Sequence, residues 1–231
     1  GWLTAAHAAD GLTFDMESPD IAVCKRYADE MNIGIVGDDL AGGVPARWRV
    51  HSDLVEEVAE RGGFSCKMSF AANVDELVFL GMRPYPVAVW DGEQFRKQLR
   101  WGKQLGRCMY KLCWQLQPTV DGAAWVKGVA WATLIGDGHV PVLRAMALAI
   151  MRRTEGISMK IPTDLWKFRL PADREQCVIT GDTFSMMQRV YGIDSEQIFA
   201  VEEAFLEAPP LPCVFRHPVM DKIMAVDLND L

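Results

Sequence analysis

The chain carries no excess of positive charge: its 24 Lys and Arg are outnumbered by 31 Asp and Glu, for a net charge of -7. That excludes a protein coated with basic surface for nucleic acid. It leaves room for a local basic groove, because only the charge that faces the phosphates matters. Metal-ligand spacing is missing as well. The six cysteines (Cys24, Cys66, Cys108, Cys113, Cys177 and Cys213) form no C-x-x-C pair, and His7, His51, His139 and His217 are equally scattered. No zinc site is spelled out, and the thiols read as free groups in a reducing compartment. No apolar stretch reaches the ~20 residues of a membrane span; the nearest, Gly122 to Gly136, is broken by Lys127. Low-complexity runs that would mark disorder are also lacking. The chain opens Gly-Trp-Leu-Thr-Ala-Ala with neither an initiator Met nor a signal-peptide pattern, so it is expected to be part of something longer.

What is present is a large apolar fraction. Half of the 231 residues are hydrophobic, with eight Trp and ten Phe, enough for a substantial core in one large or two small domains. Ser18-Pro19-Asp20 starts a helix that Ile21 to Met31 continues. Ile33 to Val36 is a short apolar strand, Gly37-Asp38-Asp39 reverses the chain, and Leu40-Ala41 begins a return strand. Residues 47–61 have helical periodicity, with Trp48, Leu54, Val55 and Val58 on one side. Segments 64–70, 77–81 and 83–90 are strand-like. Apolar periodicity then predicts helices over 94–116, 122–135, 139–153, 182–191 and 195–207. The tail from Pro209, with four Pro, is expected to wrap the surface. An α+β chain follows, with a mixed piece over 1–91 and a mainly helical piece over 92–231.

Gly37-Asp38-Asp39 is the sequence that carries chemistry. Two-metal nucleotidyl transfer needs carboxylates held close together on a rigid support, and a tight hairpin is a good one. Gly37 permits close backbone approach, and Asp38 then presents its oxygens to a divalent ion. The tripeptide alone is weak evidence, since an ordinary polar hairpin turn uses the same residues. Its flanks add weight: an apolar strand runs into it, and a helix, a Lys-bearing segment and a Phe-Leu-Gly segment follow in order.

Ile33-Gly34-Ile35-Val36-Gly37-Asp38-Asp39 resembles motif C of the RNA-dependent RNA polymerases of positive-strand RNA viruses. Gly62-Gly63-Phe64-Ser65-Cys66-Lys67 resembles the end of their motif D, and Leu77-Val78-Phe79-Leu80-Gly81 their motif E. Trp125 to Met151, with Ile135-Gly136-Asp137-Gly138 before Pro141-Val142-Leu143, is similar to thumb segments of nodavirus-like polymerases. Tyr191-Gly192-Ile193 leading to Val201-Glu202-Glu203 is similar to their final helices. The resemblance covers most of the chain, and only motif C is sharp.

The resemblance implies a partial right-hand palm, an antiparallel sheet with the motif C hairpin, followed by a helical thumb. Asp38 and Asp39 would bind Mg²⁺ or Mn²⁺ and act in catalysis, with Gly37 opening the turn. Lys67 would be the general acid toward pyrophosphate. Phe79, Leu80 and Gly81 would form motif E. The implied partners are the RNA template, its product duplex and nucleoside triphosphates, and the implied location is the host cytoplasm, with any membrane attachment through regions elsewhere. Motifs A and B have no match. Asp10 to Asp15 has the D-x-x-x-x-D spacing, but only 22 residues separate Asp15 from Asp38 and no Ser-Gly loop lies between. Trp2 to Ala9 reads better as the tail of a motif B helix. The chain alone is therefore expected to polymerise nothing, and to need the missing fingers and palm in cis or in trans.

Arg96, Arg100, Lys103, Arg107 and Lys111 are spaced 4, 3, 4 and 4, which on a helix forms one basic stripe. Such a stripe would meet product-duplex phosphates without reading sequence; it is also what any solvated helix face looks like. Gly102 and Gly106 weaken the helix. Two other classes compete with the polymerase. In one, a non-catalytic RNA-binding or scaffold module, Gly-Asp-Asp is only a turn. The other, a different metal-dependent phosphotransferase or hydrolase, should show further ligands, and His51, His139 and His217 have no suitable partners in sequence.

Overall fold

The computed structural model describes residue 29 and residues 32–36, 39–45, 51–68, 70–71, 73–111, 121–159, 177–208 and 215–228. The chain divides into two compact units, residues 1–72 and 73–231. Among the described residues the architecture is α+β, with seven α-helices, one two-stranded sheet and one antiparallel three-stranded sheet.

In the first unit, β1 (Asn32–Val36) pairs antiparallel with β2 (Asp39–Gly43). Helix α1 (Ser52–Arg61) follows, with Asp53 in its first turn and Arg61 in its last, each complementing the helix dipole. It ends at Gly62-Gly63, where Gly63 takes φ 80° and the Phe64 N–H returns to the Ala59 carbonyl. The strand expected over 64–70 is not formed: residues 64–68 pair with no strand among the described residues. A lone strand has no ladder for its backbone groups; here the Met68 N–H is taken by the Glu56 carboxylate at 3.1 Å. Of the helix expected before β1 only Asp29, helical and exposed, is among the described residues, and Trp48 lies outside them.

The second unit is built on β3 (Met82–Trp90), central in the strand order β4-β3-β5. β4 (Phe95–Lys103) returns along its full length, and β5 (Cys177–Ile179) covers only Val87 to Val89. This corrects the helix expected over 94–116: nine of those residues are a strand, and helix α2 begins only at Leu105 and runs to Lys111. Gly102 gives the reason. A Cβ there would sit 2.4 Å from Val140 Cγ2 and 2.9 Å from Tyr85 Cδ2, so the strand lies directly on the core. Pro84 and Pro86 fit a central strand because β5 does not reach them. That edge of β3 has no N–H to leave unpaired, and the Pro86 carbonyl takes the Thr183 hydroxyl at 2.5 Å.

Four helices match the periodicity closely: α3 (Gly122–Asp137), α4 (Leu143–Arg153), α5 (Gly181–Tyr191) and α6 (Ser195–Glu207). Their ends are tied by side chains. Asp121 and Asp194 accept N–H bonds from Ala123 and Gln197, at 2.9 and 2.8 Å, as N-caps. Lys127 donates to the Thr154 and Ile157 carbonyls at 2.9 and 2.7 Å, closing the end of α4. Arg153 donates to the Leu206 and Ala208 carbonyls at the end of α6. The tail departs from expectation. Residues 218–228 form α7, with Pro218 as its first residue and Val219 and Ile223 buried in the core. That core joins Tyr85, Val87 and Val89 of β3 to apolar faces of α4, α5, α6 and α7. The boundary expected after residue 91 falls at the turn of the β3–β4 hairpin.

Candidate functional site

The pairing of β1 and β2 runs from Asn32 opposite Gly43 to Val36 opposite Asp39. Two residues, Gly37 and Asp38, separate the last paired positions, and both lie outside the described residues. Asp39 is exposed at the start of β2. Lys67 is exposed in the irregular segment after α1, one residue before the anchored Met68 N–H. Among the described residues no group of three or more His, Cys, Asp or Glu could hold a metal ion. A divalent ion at Asp39 would therefore need further carboxylates beyond those residues.

Phe79, Leu80 and Gly81 are a tight turn rather than the expected strand. Phe79 and Met82 exchange backbone hydrogen bonds at 3.0 and 2.9 Å. Between them Leu80 has φ 53° and Gly81 φ 70°. Two successive left-handed residues match the twist of a hairpin, and the turn feeds directly into β3. The Gly81 carbonyl accepts the Gln104 N–H at 2.9 Å, joining the turn to the end of β4.

The five cations expected on one helix face are divided by the strand. Arg96 and Arg100 share one face of β4, Lys103 points to the other, and Arg107 and Lys111 lie on α2. Arg96 pairs with Asp91, Lys103 with Asp137 at 3.1 Å, and Arg107 donates to Gln104 Oε1 at 3.4 Å. Asp91 is held below the usual carboxylate range by the Gln94 and Glu93 N–H groups it accepts at the hairpin turn. Burial works against the Lys103 ammonium, but Asp137 overcomes it and holds its pKa above the ordinary value.

Two buried polar centres were not anticipated. In the first, the Asp227 carboxylate accepts from Gly106 N at 2.8 Å, Tyr191 Oη at 3.1 Å and Gln104 Nε2 at 3.3 Å, with Arg83 at 3.5 Å. Arg83 in turn reaches the Asp75 and Glu76 carbonyls, both at 3.4 Å, and Asp75 pairs with Arg189 at 2.6 Å. Burial and then the Asp227 charge push the Tyr191 phenol up, so it stays a hydrogen-bond donor. In the second, Asp137 binds both the backbone N–H and the ammonium of Lys103, beside buried His139 and half-buried Cys108. Burial lowers His139 to about 4, with Asp137 opposing and Arg100 assisting, and raises Cys108 to about 11. These are neutral, packed groups. Sequence reading had no signal for either centre, because Arg83, Gln104, Tyr191 and Asp227 share no local spacing.

No model of a known protein family matches the chain, and no curated protein matches it.

Proposed function

We propose that this chain supplies the metal-binding turn and RNA-gripping part of a viral RNA-directed RNA polymerase. The observation that carries the reading is the antiparallel pairing of Val36 with Asp39 on either side of Gly37-Asp38. Asp39 thereby starts a strand of a two-stranded ladder, the kind of support that suits two-metal chemistry. In this reading β1, β2 and α1 belong to a partial palm, and the helices of the second unit to a thumb.

Asp38 and Asp39 hold Mg²⁺ or Mn²⁺ together with carboxylates from a motif A elsewhere in the same protein or in a partner. Divalent ions bound there would stabilise the attacking and leaving oxygens of nucleotidyl transfer. Lys67 protonates the leaving pyrophosphate, a task suited to a mobile ammonium on an exposed segment. The Phe79–Gly81 turn supports the primer end, and cations of β4 and α2 meet template and product phosphates. The enzyme works in the host cytoplasm, and any membrane anchor lies in other regions.

The encoding RNA upstream of Gly1 tests the reading, over roughly one palm domain's length. A D-x-x-x-x-D after an apolar strand, then a Ser-Gly loop in frame with Trp2, is the expected result. An upstream frame of unrelated character, with no second protein supplying those motifs, contradicts it.

A further inference from the structure

We propose that the turn between α3 and α4 is a strained two-state element, latched by the Glu202 carboxylate of α6 and coupled through Asp137 and His139 to the end of β4. Among the described residues, only Leu80 and Val142 hold a positive φ without being glycine. Leu80 lies on the surface, whereas Val142 is fully buried. Val142 takes φ 66° and ψ -52°, and the Leu143 N–H donates to the Pro141 carbonyl at 2.7 Å. That is a γ-turn of the rare, strained form, built on a β-branched residue for which positive φ is a steric outlier. Extended backbone, which the branched side chain favours, would relieve it. Such strain persists only where the surroundings over-determine it, and it marks switch regions as well as sites of chemistry.

Two features hold Val142 in place. Its side chain is packed in the core that α4 and α6 share. Its N–H donates to Glu202 Oε1 at 2.7 Å, a charge-assisted bond and therefore a strong one. Relaxation of Val142 would break the Leu143–Pro141 bond and, with it, the geometry that presents the Val142 N–H to Glu202. The first turn of α4 hangs on the same residues. The Arg144 N–H donates to the Val140 carbonyl at 3.1 Å and the Met146 N–H to the Val142 carbonyl at 2.9 Å. The other end of the connection reaches the sheet. Asp137 accepts the Lys103 N–H at 3.0 Å, and at Gly102 a Cβ would stand 2.4 Å from Val140 Cγ2 and 2.9 Å from His139 Nε2. Only residues 138–142 separate α3 from α4, and the Val140 N–H is tied to the Asp137 carbonyl at 2.9 Å, so the connection has little slack. Packed elements of this kind change between discrete arrangements rather than deforming continuously. A change at Glu202 is thereby passed to the end of β4.

This proposal rests on the turn and not on Gly-Asp-Asp, so either can fail without the other. The test is native-state hydrogen exchange of the full chain, read amide by amide. Glu202→Ala should speed exchange at Val142, Arg144 and Met146 by about tenfold or more, and the effect should extend to the Lys103 amide across the turn. Glu202→Gln keeps an acceptor oxygen and should retain most of the protection. Glu203→Ala, one residue on and exposed, should change nothing. In Val142→Gly a positive φ carries no steric cost, so adding Glu202→Ala there should have much less effect on Arg144 and Met146. Thermal unfolding checks that each variant folds. Faster exchange in Glu202→Ala at the Val142 amide alone would make the contact local and overturn the proposal. So would uniform acceleration across the core amides, the mark of a merely structural residue, or an undiminished Glu202→Ala effect in the Val142→Gly background, which would remove the strain from the account.

Discussion

Asp227, near the end of α7, accepts the backbone N–H of Gly106 at 2.8 Å, across 121 residues of chain. The contact fixes the last helix against the start of α2, and Gly106 has no room for a side chain: a Cβ would sit 2.9 Å from Asp227 Cβ. A buried carboxylate with four polar neighbours is costly to remove because each neighbour is left unpaired. Asp227→Ala should therefore lower unfolding stability by about 3 kcal/mol. Tyr191→Phe, which deletes one donor, should cost about 1 kcal/mol. Urea denaturation at neutral pH measures both.

His139 makes stability depend on pH. Its folded pKa of about 4 lies below the unfolded value near 6.5. Between those values the unfolded chain binds the extra proton, so stability rises with pH across the window and is lost on acidification. The shift corresponds to a loss on the order of 3 kcal/mol by pH 4. Denaturation midpoints between pH 7 and 4.5 should fall steeply in the native chain. In His139→Gln they should fall less steeply; an unchanged slope would mean that other groups carry the effect.

Leu80 holds φ 53° on a surface turn with its side chain 44% exposed. Left-handed backbone costs a branched residue roughly 1–2 kcal/mol, and little packing is lost on removing this one. Leu80→Gly should raise the thermal midpoint, by an amount equivalent to about 1 kcal/mol. A fall would show that Leu80 packs against a group that stabilises it more than the strain costs.

Much of the helical part was legible because its signals are local. Asp121 and Asp194 cap α3 and α6, and Thr180 opens α5 with its N–H bonded to Thr183 Oγ1 at 3.0 Å. β4 was misread for a physical reason. Arg96, Arg100 and Lys103, continued by Arg107 and with Trp101, Leu105 and Met109, follow a helical period, and pairing with β3 overrode it over 95–103. That is tertiary context overriding local pattern. Gly102 and Gly106 were the available clue, each set by close backbone approach rather than by a turn. The prolines of the tail concealed α7, although Pro218 stands where a helix accepts proline most readily. In the candidate site the β1–β2 hairpin was legible from the apolar run before Gly37. The turn at Leu80 and Gly81 was not, because Leu is a rare choice for left-handed backbone.

Template-directed nucleotide incorporation by the protein that contains this chain, comparing Asp38→Asn with the unaltered sequence, tests the proposed polymerase function most directly. The change keeps size and removes one charge, so folding should be unaffected, as thermal unfolding can verify. Loss of RNA synthesis by at least a hundredfold, equivalent to about 3 kcal/mol of transition-state stabilisation, is the predicted result, with RNA binding retained. Full synthesis by the Asp38→Asn protein would contradict it and leave Gly37-Asp38-Asp39 as nothing more than a hairpin turn.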